Sequence, residues 1–351
     1  MHVPDGFLNA PTSVATAVFA AGTIAVALKK SRTELDERTA PLAGLTAAFI
    51  FAVQMLNFPV GVGTSGHLMG GALAAVLVGP WTAILVMSVV LITQALLFAD
   101  GGLTALGTNI TLMGIVTIAV AWFTVKAVLR ILPKRPSSIV PATFVGALLS
   151  VPAAALVFVA LYLIGGEADL PVGALVATML GWHTLIGVGE AIITSLTVGA
   201  VIATRPDLVY AARGLQPDLV LKTAGGDVVA ARPTAAQGGA PARRPIAGFA
   251  LAVLAVTLTL AGVASFFASS NPDGLEYVAG EQGFLASARD HLLGTSALAD
   301  YGDVGGIPVG VAGVIGVAIV IGAGMVLFRY LARHKPEGPE TPAEPRQDVS
   351  A

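Results

Sequence analysis

Eight stretches of this chain are apolar almost without interruption: residues 10–28, 41–58, 81–99, 103–125, 139–165, 179–204, 246–269 and 305–328. About 20 such residues suffice for a helix to cross the hydrocarbon core of a bilayer. A ninth segment, residues 67–79, measures only about 20 Å as a helix. It crosses if it is tilted in a thinned zone or helped by the irregular stretch before it. The pattern predicts an all-α integral membrane protein.

Charge sets the parity. If residues 67–79 cross and the N-terminus lies outside, every Lys and Arg except Arg289 falls on one side, in clusters within 29–38, 126–135, 205–244 and 329–346. If they do not cross, the cluster from Lys126 to Arg135 moves outside. The positive-inside rule therefore predicts nine crossings, with the N-terminus out and the C-terminus cytoplasmic, in a bacterial inner membrane. Acidic residues collect on the outer side (Asp5, Asp100, Glu167, Asp169, Asp273, Glu276, Glu281, Asp290, Asp300 and Asp303), where they help gather cations. The lysines follow the first apolar run instead of preceding it, unlike a cleaved signal peptide. Histidine at position two is not small, so Met1 is expected to be retained.

Composition narrows the chemistry. The chain is 55% hydrophobic and 11% charged, against about 25% charged in soluble domains. A net charge of −2 gives no bulk attraction for nucleic acid, and the absence of cysteine leaves only nitrogen and oxygen for any metal. Residues 1–204 read as a seven-crossing module. Residues 205–245, rich in Ala, Pro, Gly and Arg, read as a flexible cytoplasmic linker. Residues 246–330 read as a two-crossing hairpin around an outer loop, 271–304, and residues 331–351 as a disordered cytoplasmic tail. Ala17, Ala21 and Ala25, with Ala43 and Ala47 and with Ala48 and Ala52, form small-residue faces. These serve packing within the module or docking to a separate membrane subunit.

The chemistry concentrates at Met1-His2 and in Gly63-Thr64-Ser65-Gly66-His67. The terminal amine, the His2 amide nitrogen and the His2 Nδ1 can close two small rings around one ion, and the His67 imidazole completes four nitrogens. Four nitrogens in a plane suit Ni(II) or Cu(II) and can be adopted by Co(II). The plainer alternative makes His67 a loop histidine bonded to a carbonyl. Pro4 and Asp5-Gly6 are turn chemistry that brings the terminus back toward the bundle. A second group is His183 with Glu190, two turns apart on one helix face. Glu190 is the one carboxylate well inside an expected span. The pair reads as support for the metal ligands, a gate or a proton route, or else as a buried acid that serves helix packing. Gln54, Asn57, Gln94, Asp100 and Asn109 lie near the outer ends and are candidates to orient a ligand imidazole, with Asn57 first because it is close to the His67 loop. The chain has no G-x-x-x-x-G-K-[ST] and no HExxH. It is expected not to be an enzyme, and energy for uphill transport must come from partners or an ion gradient.

Met1-His2-Val3-Pro4-Asp5-Gly6-Phe7-Leu8, residues 57–71, residues 94–107 and residues 183–194 resemble the CbiM/NikM proteins, the substrate-binding membrane components of energy-coupling factor (ECF) transporters for cobalt and nickel. Pro272-Asp273-Gly274-Leu275-Glu276 is similar to the PDGLE signature of the small accessory subunit, CbiN or NikN. The resemblance implies a fusion of the two: a seven-helix substrate-binding bundle followed by a two-helix hairpin. It implies an ion held by Met1, His2 and His67, carried as substrate and not as cofactor. It also implies one membrane scaffold subunit and two cytoplasmic ATPases as partners. The alternative is a secondary transporter or channel for the same ions that needs no ATPase. That reading asks for several intramembrane carboxylates along a path, and only Glu190 is available.

Overall fold

The computed structural model describes residues 1–36, 39–61, 63–213, 215, 220–223, 226–229, 246–299 and 306–334. Most of the expected linker, Asp300 and Asp303 of the outer loop, and the tail from residue 335 lie outside these residues. So do Arg38, Arg232, Arg243, Arg244, Lys335 and Arg346 of the charge count.

The first helix, α1, runs Ala10–Glu34 and starts where the Asn9 side chain accepts the Thr12 N–H at 3.0 Å, an ordinary N-cap. Helix α2 (Ala40–Gln54) stops short of the expected 58, because the chain turns into an antiparallel hairpin of β1 (Phe58–Gly61) and β2 (Thr64–Gly66). After an extended stretch at 67–70 come α3 (Gly71–Val78) and α4 (Pro80–Leu97). Helix α5 (Leu106–Asn109), a π-helical stretch (Ile110–Val116) and α6 (Thr117–Ile131) form one continuous rod. Then follow α7 (Ile139–Gly165) and α8 (Val172–Thr204), the latter starting earlier than the expected 179. The C-terminal part holds α9 (Ala247–Gly262), the short α10 (Gly274–Glu281) and α11 (Val309–Arg333). Six helical stretches are long and apolar enough to cross a membrane: α1, α4, the 106–131 rod, 136–165, α8 and α11. Helices α2 and α9 are shorter apolar helices. Helix α3 is only about 12 Å long, so the segment 67–79 is helical in its latter part alone. Its first residues enter the bundle as irregular backbone, whose N–H and C=O groups need partners.

One feature departs from the expected organisation. Residues 205–213, which composition places in the linker, are folded. Leu208, Val209 and Ala212 are buried, Arg205 pairs with Asp207 at 2.8 Å, and the Arg213 guanidinium donates to the Glu34 carbonyl at 3.0 Å. Three apolar side chains within five positions are enough to hold this segment against the bundle. The hairpin helices, for their part, pack directly on the module. Gly324 of α11 abuts Gly44 of α2, Gly316 leaves room for the Phe51 ring, and Gly313 meets Ala261 of α9. Such glycine contacts bring helix backbones together at close range.

Candidate metal centre

Chain termini are commonly loose, but this N-terminus is buried: Met1 is 3% exposed and Val3 0%. Val3 is clamped on both edges by one side chain. Its N–H donates to Asn109 Oδ1 at 2.7 Å, and its carbonyl accepts from Asn109 Nδ2 at 3.1 Å. The Asp5 carboxylate accepts the N–H groups of Leu103 (3.2 Å) and Thr104 (2.7 Å). Gly6 turns the chain with φ +91°, where a Cβ would also collide with the Ser287 carbonyl, so only glycine fits. The Phe7 ring then packs on Phe284 of the hairpin loop at 5.0 Å.

These anchors bring Met1, His2 and His67 together. The Met1 amine donates to His67 Nε2 at 2.6 Å. The His67 Nδ1–H donates to the Leu68 carbonyl at 3.0 Å, which leaves Nε2 as the lone pair. The His2 Nε2–H donates to Gln94 Oε1 at 3.3 Å, and His2 Nδ1, the atom an N-terminal chelate uses, faces the Asp100 carboxylate at 3.2 Å. The two imidazoles stack at 4.9 Å with 25° between their planes. An ion about 2.0 Å from each of two nitrogens at right angles holds them about 2.8 Å apart, close to the spacing of the amine and His67 Nε2. Among the described residues, no three His, Asp or Glu side chains cluster as a metal site.

The hairpin loop closes over this group. Residues 271–273 add to the edge of β2. The Ser65 N–H donates to the Pro272 carbonyl at 2.9 Å, the Ser65 hydroxyl donates to the Asn271 carbonyl at 2.7 Å, and Ser65 bridges Asp273 in parallel. Asp273 uses both oxygens. Oδ1 caps α10 by accepting the N–H groups of Leu275 and Glu276, each at 2.8 Å. Oδ2 lies 2.7 Å from the Met1 amine and 3.8 Å from His67 Nε2. Gly274 allows this approach, because a Cβ there would press on Ile186 of α8. The Pro-Asp-Gly-Leu-Glu signature is therefore a strand edge, a two-handed carboxylate and a helix start in sequence.

The remaining candidates divide. Among the candidates to orient an imidazole, it is Gln94 and not Asn57 that contacts His2. Asn57 lines the same cleft, and its carbonyl accepts the Ser269 N–H at 2.8 Å, but its side chain bonds neither imidazole. Nearness in sequence was a poor guide there, since β1 carries Asn57 away while α4 carries Gln94 in. Asp100 lies 3.2 Å from His2 Nδ1. His183 and Glu190 do not bond each other. The His183 Nδ1–H donates to the Met179 carbonyl at 2.8 Å. The Glu190 carboxylate accepts the N–H groups of Met69 (2.6 Å) and Gly70 (3.1 Å). Gln54 and Gln94 are joined at 3.0 Å. Asp273 is the residue of the site that spacing alone did not single out, and the five-residue signature was its signal.

A cleft of about 820 Å³ opens onto the group, lined by His2, His67, Asp100, Asp273, Glu276 and Glu281 among others. The acidic lining attracts cations. Burial pulls His2 below its ordinary value, even though Asp100 opposes the shift. Burial works to raise the Asp273 carboxyl, but the N-terminal ammonium and His67 outweigh it and hold the group well below the usual carboxylate range. The arrangement is thus neutral imidazole nitrogen beside a permanent carboxylate, a lining for a transition-metal cation.

Comparison with known proteins points the same way. Residues 2–208 match the family described as the cobalt uptake substrate-specific transmembrane region, CbiM, and residues 247–333 match the PDGLE domain. A chain of Archaeoglobus fulgidus that bears the name of a fused nickel transport protein, NikMN, is 32% identical over 94% of this chain and 99% of its own. A cobalt transport protein, CbiM, of Geobacter sulfurreducens is 31% identical over 87% of this chain and 83% of its own. Among solved structures, a transition metal transporter superposes with a TM-score of 0.52 at 29% identity, covering 58% of this chain and 93% of that one.

Proposed function

The chain belongs to the CbiM family, with a PDGLE domain fused at its C-terminal side, and from that premise we propose that it captures Ni(II) or Co(II) for an ATP-driven ECF importer. It is a multi-pass membrane protein of metal transport. The ion is held by the Met1 amine, the His2 amide and Nδ1, and His67 Nε2. The observation that carries this reading is the meeting of the buried Met1 amine with two stacked imidazoles, His2 and His67, whose ring centroids lie 4.9 Å apart. Gln94 and the Leu68 carbonyl engage the ring nitrogens a chelate does not need, while His2 Nδ1 faces Asp100 and His67 Nε2 faces the Met1 amine, contacts an ion replaces. The amine spacing of 2.6 Å fits two neighbouring corners of a square. The N-terminus and the cleft face outward, and the C-terminus is cytoplasmic, as the distribution of Lys and Arg favours. Hydrated ion enters past the acidic lining and loses water to nitrogen. The amine and the amide each lose a proton as it binds. A membrane scaffold subunit and two cytoplasmic ATPases supply the energy.

The test is metal stoichiometry and absorption of the purified chain with an authentic terminus, beside His2→Ala and an N-terminally extended form. One nickel per chain with a square-planar spectrum, lost in both variants, is the expected result. Unchanged binding in both variants would falsify the N-terminal chelate. Uptake that persists without the ATPases would favour the secondary transporter instead.

A further inference from the structure

Glu190 is fully buried on α8, and among the described residues its carboxylate pairs with no cation; it accepts two backbone N–H groups instead. Those groups belong to Met69 and Gly70, two and three positions after His67. The opposite edge of the Met69 peptide is held as well, since its carbonyl accepts Gln54 Nε2 at 2.8 Å. Gln54 Oε1 accepts Gln94 Nε2 at 3.0 Å, and Gln94 Oε1 accepts the His2 Nε2–H at 3.3 Å. Gln54 and Gln94 are buried, 4% and 2% exposed, so water does not substitute for these partners.

The chain of bonds has only one direction. A carbonyl accepts and cannot donate, so Met69 demands the amide NH2 of Gln54. That turns Gln54 Oε1 toward Gln94, which must answer with its own NH2. Gln94 Oε1 is then left for His2, and an acceptor there puts the His2 proton on Nε2. Nδ1, 3.2 Å from the Asp100 carboxylate, is then the nitrogen that an ion claims. We propose that Glu190 is a positioning residue for the metal chelate. It fixes the loop that carries His67 and, through Met69, Gln54 and Gln94, the tautomer and tilt of His2. Two ligands 65 positions apart in sequence are thereby set by one carboxylate on a third element. The inference rests on the N-terminal chelate proposed above.

The experiment is a nickel-binding double-mutant cycle on the full chain in detergent: wild type, Glu190→Gln, Gln94→Ala and the double variant, with His2→Ala alongside. A glutamine at 190 offers one oxygen and turns an NH2 toward the second N–H. Each single variant is expected to weaken nickel binding about 10- to 100-fold, the usual loss for a residue that orients a ligand. Each should also shift the nickel absorption band. The double variant should be little weaker than either single one, because both cut the same chain. If Glu190→Gln does not yield folded protein, Gln54→Leu cuts the chain at its middle link and takes its place in the cycle. Wild-type affinity and band in Glu190→Gln, or losses that multiply in the double variant with an unmoved band, overturn the inference and reduce Glu190 to a packing element. If wild type holds no nickel, or His2→Ala holds it equally well, the chelate reading itself fails, and this inference with it.

Discussion

Two glutamates are buried in the described part of this chain, and both give their carboxylates to the start of a helix. Helices α3 and α4 follow Gly70 and Gly79, and neither glycine offers a side-chain cap. The first N–H groups of a helix lack partners within it, and an anion suits that end. Glu190 serves Met69 and Gly70 before α3. Glu34, from the end of α1, accepts the N–H groups of Trp81 (3.2 Å) and Thr82 (2.7 Å) and the Thr82 hydroxyl (2.9 Å). Chemically the two are near duplicates, and the difference lies in what is attached behind. Behind the Glu34 contacts stand only α4 and the folded segment 205–213, tied on by Arg213. Behind the Glu190 contacts stand His67 and the two glutamines that lead to His2. Burial of a carboxylate is therefore not in itself a mark of function; the connections of its acceptors decide.

Acid should separate the two ends most strongly. Binding displaces a proton from the amine and one from the amide, so nickel affinity falls as pH falls, by up to about a hundredfold per unit. Burial pulls the His2 ring below its ordinary value, so the ring adds to the protons released on binding only in acid. Isothermal titration in buffers of different ionisation enthalpy gives the proton count, and fewer than one proton per ion would contradict the amine–amide pair. Next in size is Glu34→Gln. It should lower stability by about 1–3 kcal/mol, the cost of an unsatisfied buried N–H, while nickel affinity stays within about twofold. Thermal unfolding beside titration reads both, and a loss of affinity like that expected for Glu190→Gln breaks the distinction drawn above. Smallest at equilibrium is Asp273→Asn, which keeps the α10 cap and removes the charge. Before loading, the site bears the ammonium's single positive charge. After loading it bears a dication less one amidate charge, again one positive charge in net. Asp273 therefore affects both states alike, and nickel affinity should move by no more than about threefold. Steering of the free dication does depend on that carboxylate, so association and dissociation should slow together, most at low ionic strength. Stopped-flow binding at two salt concentrations checks it.

Much of this was legible in the sequence. The long apolar runs became helices, and a terminal His2 with His67 pointed to a candidate site whose residues do meet, because apolar length and ligand type are local properties. The hairpin of β1 and β2 was not legible: its glycine-rich run carries no alternating pattern. Glu190 stood out as a lone intramembrane acid, but its partners are backbone N–H groups, which leave no trace in residue type. The choice of Gln94 over Asn57 depends on how α4 and the 57–66 turn are placed, and residues 205–213 read as linker because their composition resembles one. Asp273 reaches the amine only because the hairpin docks on the module.

A nitrogen held between the Asp273 carboxylate and His67 exists only at the very start of a polypeptide. For this site, the choice of start codon and the removal of the formyl group from the initiating methionine become steps of assembly. Under the proposed chelate, a chain begun one codon early, or left formylated, would carry every side chain named here and still lack an amine that no side chain can replace.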